Sequence, residues 1–339
     1  MSPTTSGSLR GFSLIELMIG LTLGIVGMLI VAQVLSVSGG YQATIAAAGE
    51  AQSVGNLSLY TMERDLKQAG FGIASPNLLG CQLSGYDSTR PTTPIAQRLY
   101  PVAITPPTSA NDSDTISIAY GTSDTRMGMV PLTGAYDGSG ANIKTQGSYG
   151  FLVGDFFVLA QAATPCVLGQ VSALPDGTNI AHASGSAYRY NNSTGLGQAY
   201  LANVGEIYSL GRAFQFNTYS VNASKQLVQQ SVLTGNTLVI ADNVMAFKAR
   251  YGHDTTANGT IDTWDAVIPN SSTGWAATTN VRMGLAIKNP RREVGTVTAS
   301  PLELWPGGPS VTLSTDDQHY RYRTYNVVVP LRNMIWRTF

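Results

Sequence analysis

Charge is what this sequence has least of. Asp, Glu, Lys and Arg make up 12% of the 339 residues, about half the share usual in a soluble domain, which argues against an ordinary cytosolic enzyme. The 20 basic and 20 acidic side chains cancel to a formal net charge of zero, so no global field exists to hold a nucleic acid or an acidic membrane surface. Cysteine is nearly absent as well. Cys81 and Cys166 are too few for a four-ligand zinc site and lack C-x-x-C spacing, which leaves a bonded pair or two buried thiols. His182, His253 and His319 form no H-E-x-x-H and no pair at ligand spacing, and are expected in solvated loops. With no G-x-S-x-G elbow and no phosphate-binding G-x-x-x-x-G-K loop, hydrolase and nucleotidase chemistry has no foothold, and the chain reads as non-enzymatic. A hydrophobic share of 43% excludes disorder of the whole.

What is present is concentrated at the amino terminus. Residues 12–35, FSLIELMIGLTLGIVGMLIVAQVL, hold one charge, Glu16, and otherwise have the length and composition of a membrane-spanning helix. A secretory signal would show an apolar region of ~7 to 15 residues and then a small-residue cleavage site. This run is longer and no A-x-A follows it. The leader, MSPTTSGSLRG, carries Arg10 as its only charge, and the positive-inside bias keeps it cytoplasmic while the remainder crosses. A carboxylate inside such a helix is costly unless neutralised or paired, so Glu16 calls for a functional reading.

The segment R-G-F-S-L-I-E-L, Arg10 to Leu17, resembles the processing signal of type IV prepilins and type II secretion pseudopilins. That resemblance implies cleavage by a membrane aspartyl peptidase between Gly11 and Phe12, followed by N-methylation of Phe12. The new α-amine has a reference pKa of ~8, a cation at membrane depth. The resemblance implies that Glu16 meets the Phe12 amine of a neighbouring subunit, so that a docked pair neutralises two charges costly apart. Gly20, Gly24 and Gly27 punctuate the helix, the first two as G-x-x-x-G. Many major pilins have a proline midway along this helix, whereas the first proline after the leader here is Pro76.

Beyond the membrane run the pattern stays helical, with Leu59, Met62, Leu66 and Ala69 spaced for one face and Gly70 and Gly72 as a stop signal. A helix from Phe12 to Ala69 would be ~87 Å long, half in the membrane and half on a head. From about residue 75 short β-type runs alternate with Gly, Pro, Asn and Ser clusters. Strands are predicted at Thr115 to Tyr120, Phe151 to Ala160, Val167 to Ala173, Ile207 to Tyr219, Gln226 to Leu233, Asn243 to Tyr251, Val281 to Ile287 and Tyr320 to Leu331. Met245, Phe247, Ala249 and Tyr251 alternate as one apolar face. The expected fold is α+β: leader 1–11, transmembrane helix 12–37, amphipathic continuation 38–72 and β-rich head 73–339.

Four further stretches resemble the PilW family of minor pilins: TMERDLKQAGFG at Thr61 to Gly72 with Cys81 soon after it, GDFFVLAQAATPCVLGQV around Cys166, IADNVMAFKARYGHDTTANGTIDTWD at Ile240 to Asp265, and YNVVVPLRN at Tyr325 to Asn333. The resemblance implies a subunit that takes part in type IV pilus assembly, in an initiation or tip complex. Its implied partners are the prepilin peptidase, the major pilin, other minor pilins and a large tip adhesin; nucleic acid is not expected. The implied location is the inner membrane, single-pass with a periplasmic head, and then the surface pilus. Pseudopilin J of type II secretion shares the layout and ranks second, ahead of a membrane-anchored enzyme or binding protein. In an exported head the cysteines are expected to pair as Cys81–Cys166, and closing so long a loop would stabilise the fold by ~4 to 5 kcal/mol.

Two patterns invite chemistry. Asp254, Thr256, Asn258, Thr260, Asp262 and Asp265 fall at positions 1, 3, 5, 7, 9 and 12 of a calcium-loop spacing with Gly259 at position 6. Thr256 and the short Asp265 depart from that pattern and no helices flank it, so a hairpin turned by Asn258-Gly259 is the preferred reading. Tyr320, Arg321, Tyr322 and Arg323 could stack on and neutralise single-stranded DNA. On a strand they would alternate, tyrosines inward and arginines outward, which is the reading preferred here.

Overall fold

The computed structural model describes residues 13–92, 94–122 and 128–335. Two compact units emerge, Met1–Glu50 and Ala51–Phe339. Helix α1, Leu14–Gln68, contributes to both. It begins at Ser13, whose Oγ accepts from the Glu16 amide at 3.2 Å and whose carbonyl accepts from Leu17, so one of the orphan amides of the first turn is satisfied by a side chain. In the first unit every residue from Ser13 to Gly39 is exposed, including the large aliphatics from Leu14 to Val37. A helix apolar on all sides needs lipid or protein neighbours.

The second unit is built from β-strands around the end of that helix. One sheet has six strands in the order β2 (Ile95–Arg98), β1 (Gln82–Gly85), β8 (Thr164–Gln170), β7 (Phe156–Gln161), β10 (Glu206–Gly211) and β5 (Met129–Pro131). A second runs β13 (Thr237–Ala241), β12 (Leu227–Ser231), β11 (Gln215–Val221), β4 (Thr115–Tyr120) and β3 (Val102–Thr105). A third runs β15 (Thr263–Asp265), β14 (Val244–His253), β16 (Thr278–Arg292) and β19 (Tyr320–Pro330). Two ribbons, β6 (Asn142–Lys144) with β9 (Asn179–Ala181) and β17 (Leu302–Glu303) with β18 (Ser310–Val311), complete the strands, and α2 (Ser272–Ala277) and α3 (Arg332–Ile335) are short helices.

The helical face foreseen in the sequence is the one that is buried. Leu59, Met62, Leu66 and Ala69 pack with Ile116, Ile118 and Tyr219 of the five-stranded sheet and with Phe247, Tyr251 and Met283 of the four-stranded one. Behind it, β7 sends Phe156 and Val158 into one cluster and Phe157 and Leu159 into another, which is why its sequence FFVLA is apolar without alternation.

Polar contacts fix the helix on this bed. Asp65 is buried, and its carboxylate accepts from Tyr120 (3.0 Å), Tyr219 (2.7 Å) and Asn217 (3.2 Å). Burial, and then the Asp65 charge, push both phenol hydroxyls well above their ordinary range, so both remain donors. Asn333 donates to the carbonyls of Gln68 and Ala69, two acceptors the helix cannot satisfy itself. Tyr325 donates to the Ala51 carbonyl, and its ring lies so close to Gly55 that a Cβ there would be 2.3 Å from it.

Several expectations need correction. Ile207 to Tyr219 is two strands, β10 and β11, broken at Gly211, whose φ of 74° is left-handed backbone suited to glycine. The strand expected from Phe151 starts at Phe156, and the one expected at Val281 to Ile287 extends over Thr278–Arg292. Met245 does not share the face of Phe247, Ala249 and Tyr251, because the pairing of β14 with β16 shifts between Val244 and Ala246. A bulge puts the residue before it out of phase, and Met245 packs with the separate cluster around Trp305.

Replacing Asp65 by Ala leaves two buried hydroxyls without an acceptor. The expected loss is about 3 kcal/mol of unfolding free energy, read by urea denaturation of the detergent-solubilised protein; a loss near zero would show that the carboxylate does not secure the helix.

Candidate functional site

Helix α1 is long and apolar enough to cross a membrane, and Glu16 stands in its first turn. Ile15 and Leu17 beside it are 67% and 64% exposed. Among the described residues the Glu16 carboxylate, on an apolar surface, has no hydrogen-bond or ionic partner. Its position near the helix N-terminus is favourable for a negative charge. Gly11 and Phe12 lie outside the described residues. Gly20, Gly24 and Gly27 have nothing of the chain within 4 Å of where a Cβ would stand, so any close packing they permit is with a neighbour.

In the second unit Cys81 and Cys166 form a disulfide with Cα atoms 5.8 Å apart. It sits where β1 and β8 run parallel, Leu83 opposite Cys166. A few residues on, Asp87 is fully buried. Arg189 holds it in a fork at 2.6 and 2.7 Å, Arg90 donates at 2.9 Å, and Thr89 adds its amide and hydroxyl. Burial pushes the carboxyl up, but the hydrogen bonds from Arg189, Arg90 and Thr89 outweigh it and hold Asp87 well below the usual carboxylate range. Arg90 also donates to the Leu233 carbonyl, so one carboxylate ties three chain segments together.

The calcium-spaced loop joins β14 to β15, which pair antiparallel. Its carboxylates are turned into the loop itself: Asp254 accepts from the amides of Asn258 and Gly259, and Asp262 from Thr255 and Thr256. Asp265 contacts His253 at 3.3 Å, and Asn258 accepts from the Thr260 amide at 2.8 Å. Among the described residues no three His, Cys, Asp or Glu side chains are grouped to hold a metal.

Two of the three histidines depart from the solvated loops expected of them. His182 is buried beside Tyr136 and Phe157 with neither ring nitrogen paired, and burial lowers its pKa. His253 is buried at the end of β14 and reaches Thr278; a strand end, not a loop, holds it. Along β19, Arg321 and Arg323 are exposed while Tyr320 and Tyr322 are half-buried, the alternation a strand dictates. The residues that sequence reasoning missed are Asp65 and Asn333. Each lies inside a quoted motif, and Asp65 follows Met62 by three positions, a polar residue on an apolar face.

An uncovered apolar helix, long enough to cross a membrane, runs on into a β-rich unit, and the chain is α+β. Residues 216–333 match the model of the family described as Type IV Pilus-assembly protein W, so the resemblance to that family is shown over this stretch. The stretch contains Asn217, Tyr219, Tyr325 and Asn333, four of the side chains that hold α1. No curated protein matches the chain. A type IV-like pilin from Thermus thermophilus is similar at 15% identity over 54% of this chain and 85% of its own, with a TM-score of 0.24.

The lowered Asp87 pKa has a definite pH signature. An unfolded aspartate titrates near ~3.9, so the stabilisation is complete above about pH 5 and is lost as pH falls toward the folded value. Unfolding midpoints measured at pH 7 and pH 3 should therefore differ more in the wild type than in Asp87→Asn; parallel pH curves would contradict this.

Proposed function

We propose that this chain is a minor pilin, a non-enzymatic subunit inserted in the inner membrane by α1 and then built into the initiation or tip complex of a type IV pilus. The observation that carries the reading is the lone carboxylate, Glu16, on the uncovered apolar start of α1. Cleavage between Gly11 and Phe12 would create an amine one helical turn away in sequence. In a bundle of such helices, the Glu16 carboxylate of one subunit and the Phe12 amine of another neutralise each other where water is excluded. The peptidase, the major pilin, other minor pilins and a tip adhesin are the partners this reading requires.

Head size supports the tip over the shaft. Residues 70–339 correspond to a radius of gyration of ~18 Å by compact-domain scaling, bulky for a subunit repeated at close axial spacing. A shaft reuses one heterologous contact without end, whereas a cap needs only a lower face that fits the subunit beneath.

The test is quantitative mass spectrometry of sheared, purified pili. This chain should be present at low copy relative to the major pilin, with an amino-terminal peptide beginning at N-methyl-Phe12. A stoichiometry near that of the major pilin, or an intact Met1, would overturn the reading. Glu16→Ala should leave processing intact and lower incorporation into pili about tenfold or more, because removal strands a neighbour's amine in an apolar setting; equal incorporation would show that Glu16 is only tolerated.

A further inference from the structure

A cleft of about 330 Å³ opens in the second unit, where the turn after α1, the segment after β2 and the approach to α2 converge. Its floor is aromatic. Trp275 is buried, stacked on Tyr100 at 5.8 Å and held edge-on by Tyr251 at 6.0 Å, while Pro76 and Pro269 supply further apolar wall. Arg98 is the one charged side chain among the described lining residues. It gives one hydrogen bond, from Nη1 to the Gly80 carbonyl at 2.9 Å, and no carboxylate pairs with it.

Ser271 Oγ is taken by the Gly274 amide as the cap of α2, and the other polar side chains of the cleft are idle. Among the described residues, the Tyr100 hydroxyl, the Asn270 amide and the Ser272 hydroxyl have no partner in the chain. The indole N–H of Trp275, shielded from solvent, has none either. Such a set is rich in donors and positive: a guanidinium fork, an amide and two hydroxyls beside an aromatic wall.

We propose that this cleft binds a carboxylate-bearing sugar, a uronic acid residue of a surface polysaccharide. The carboxylate takes the Arg98 fork, whose geometry suits two parallel hydrogen bonds. The ring hydroxyls meet Asn270, Ser272 and Tyr100, and the apolar face of the ring lies on the aromatic and proline surface. A phosphate ligand would call for more than the one cation present. A peptide carboxyl terminus would leave the hydroxyl and amide groups unused. The volume is within the range of small-ligand sites. The inference rests on the geometry of the head and does not depend on the filament assignment.

The test is isothermal titration of the full-length protein in detergent with digalacturonate, with neutral galactobiose and acetate as comparison ligands. Digalacturonate should bind with a Kd of about 1 mM or tighter, at least about tenfold tighter than either comparison. Arg98→Gln should weaken it about tenfold or more without moving the unfolding midpoint, since Arg98 is exposed. Tyr100→Phe, which keeps the stacked ring, should weaken it by a smaller factor. No heat with digalacturonate up to about 10 mM, a Kd three orders of magnitude or more short of micromolar, would overturn the proposal. So would equal binding by Arg98→Gln, or acetate binding as tightly as the sugar.

Discussion

A buried carboxylate on α1 settles where the helix meets its sheets. Apolar contact alone is non-directional: the face formed by Leu59, Met62, Leu66 and Ala69 could slide or rotate by a fraction of a turn at little cost. Asp65 removes that freedom, because its two oxygens are satisfied only when Tyr120 on β4 and Tyr219 and Asn217 on β11 stand where they do. Removing one partner of such a set is far more destabilising than the set is stabilising, so it acts chiefly as a selector of register. Tyr325 on Gly55 and Asn333 on the last carbonyls fix the helix at two further points. All these groups except Tyr120 come to the helix from residues 216–333, the stretch that matches the pilus-assembly family.

The rest of the second unit follows from that placement. With the five- and four-stranded sheets committed to the helix, the six-stranded sheet builds its own clusters on both faces. Buried charges recur at the seams: Asp114 with Lys248 and Arg250 where β4 begins beside β14, and Asp87 with Arg90 and Arg189 beyond β1. A protein with so few charges places several carboxylates inside, each paired with buried or partly buried cations.

How much of this was legible depends on periodicity. The helical face was plain because four residues at 3.6-residue spacing carry the signal. Strands such as β4 and β19 were plain because they are long and β-branched or aromatic. The strands β1, β2 and β3, each of four residues, were not, since QLSG, IAQR and VAIT are too short for alternation to stand out. Gly211 sits inside the expected strand and instead ends β10. Met245 obeyed the alternation rule until a bulge moved it. The carboxylate at Glu16 was legible because charge is so rare around it. The clustering of Arg98, Tyr100, Asn270 and Ser272 was not, because chain segments some 170 residues apart in sequence approach only in the folded unit, and no local pattern encodes that.

Glu16 has two claims on its charge, and their relative strength bears on where assembly happens. Ser13 caps the helix and Glu16 stands three residues on, the spacing of a capping box, but among the described residues its carboxylate makes no reciprocal bond and meets only the helix dipole. The favourable dipole is worth at most about 1 kcal/mol at an exposed site. An opposite charge in an apolar bundle is a stronger competitor, because neither charge can there be solvated by water. On the proposed reading the carboxylate therefore has only the dipole of its own helix while the subunit is alone and meets a neighbour's amine as helices close around it. The pairing needs no movement of the head, only the exclusion of water and lipid from the first turn. It favours association of processed chains over unprocessed ones, since an uncleaved leader offers a neutral amide where the amine would be.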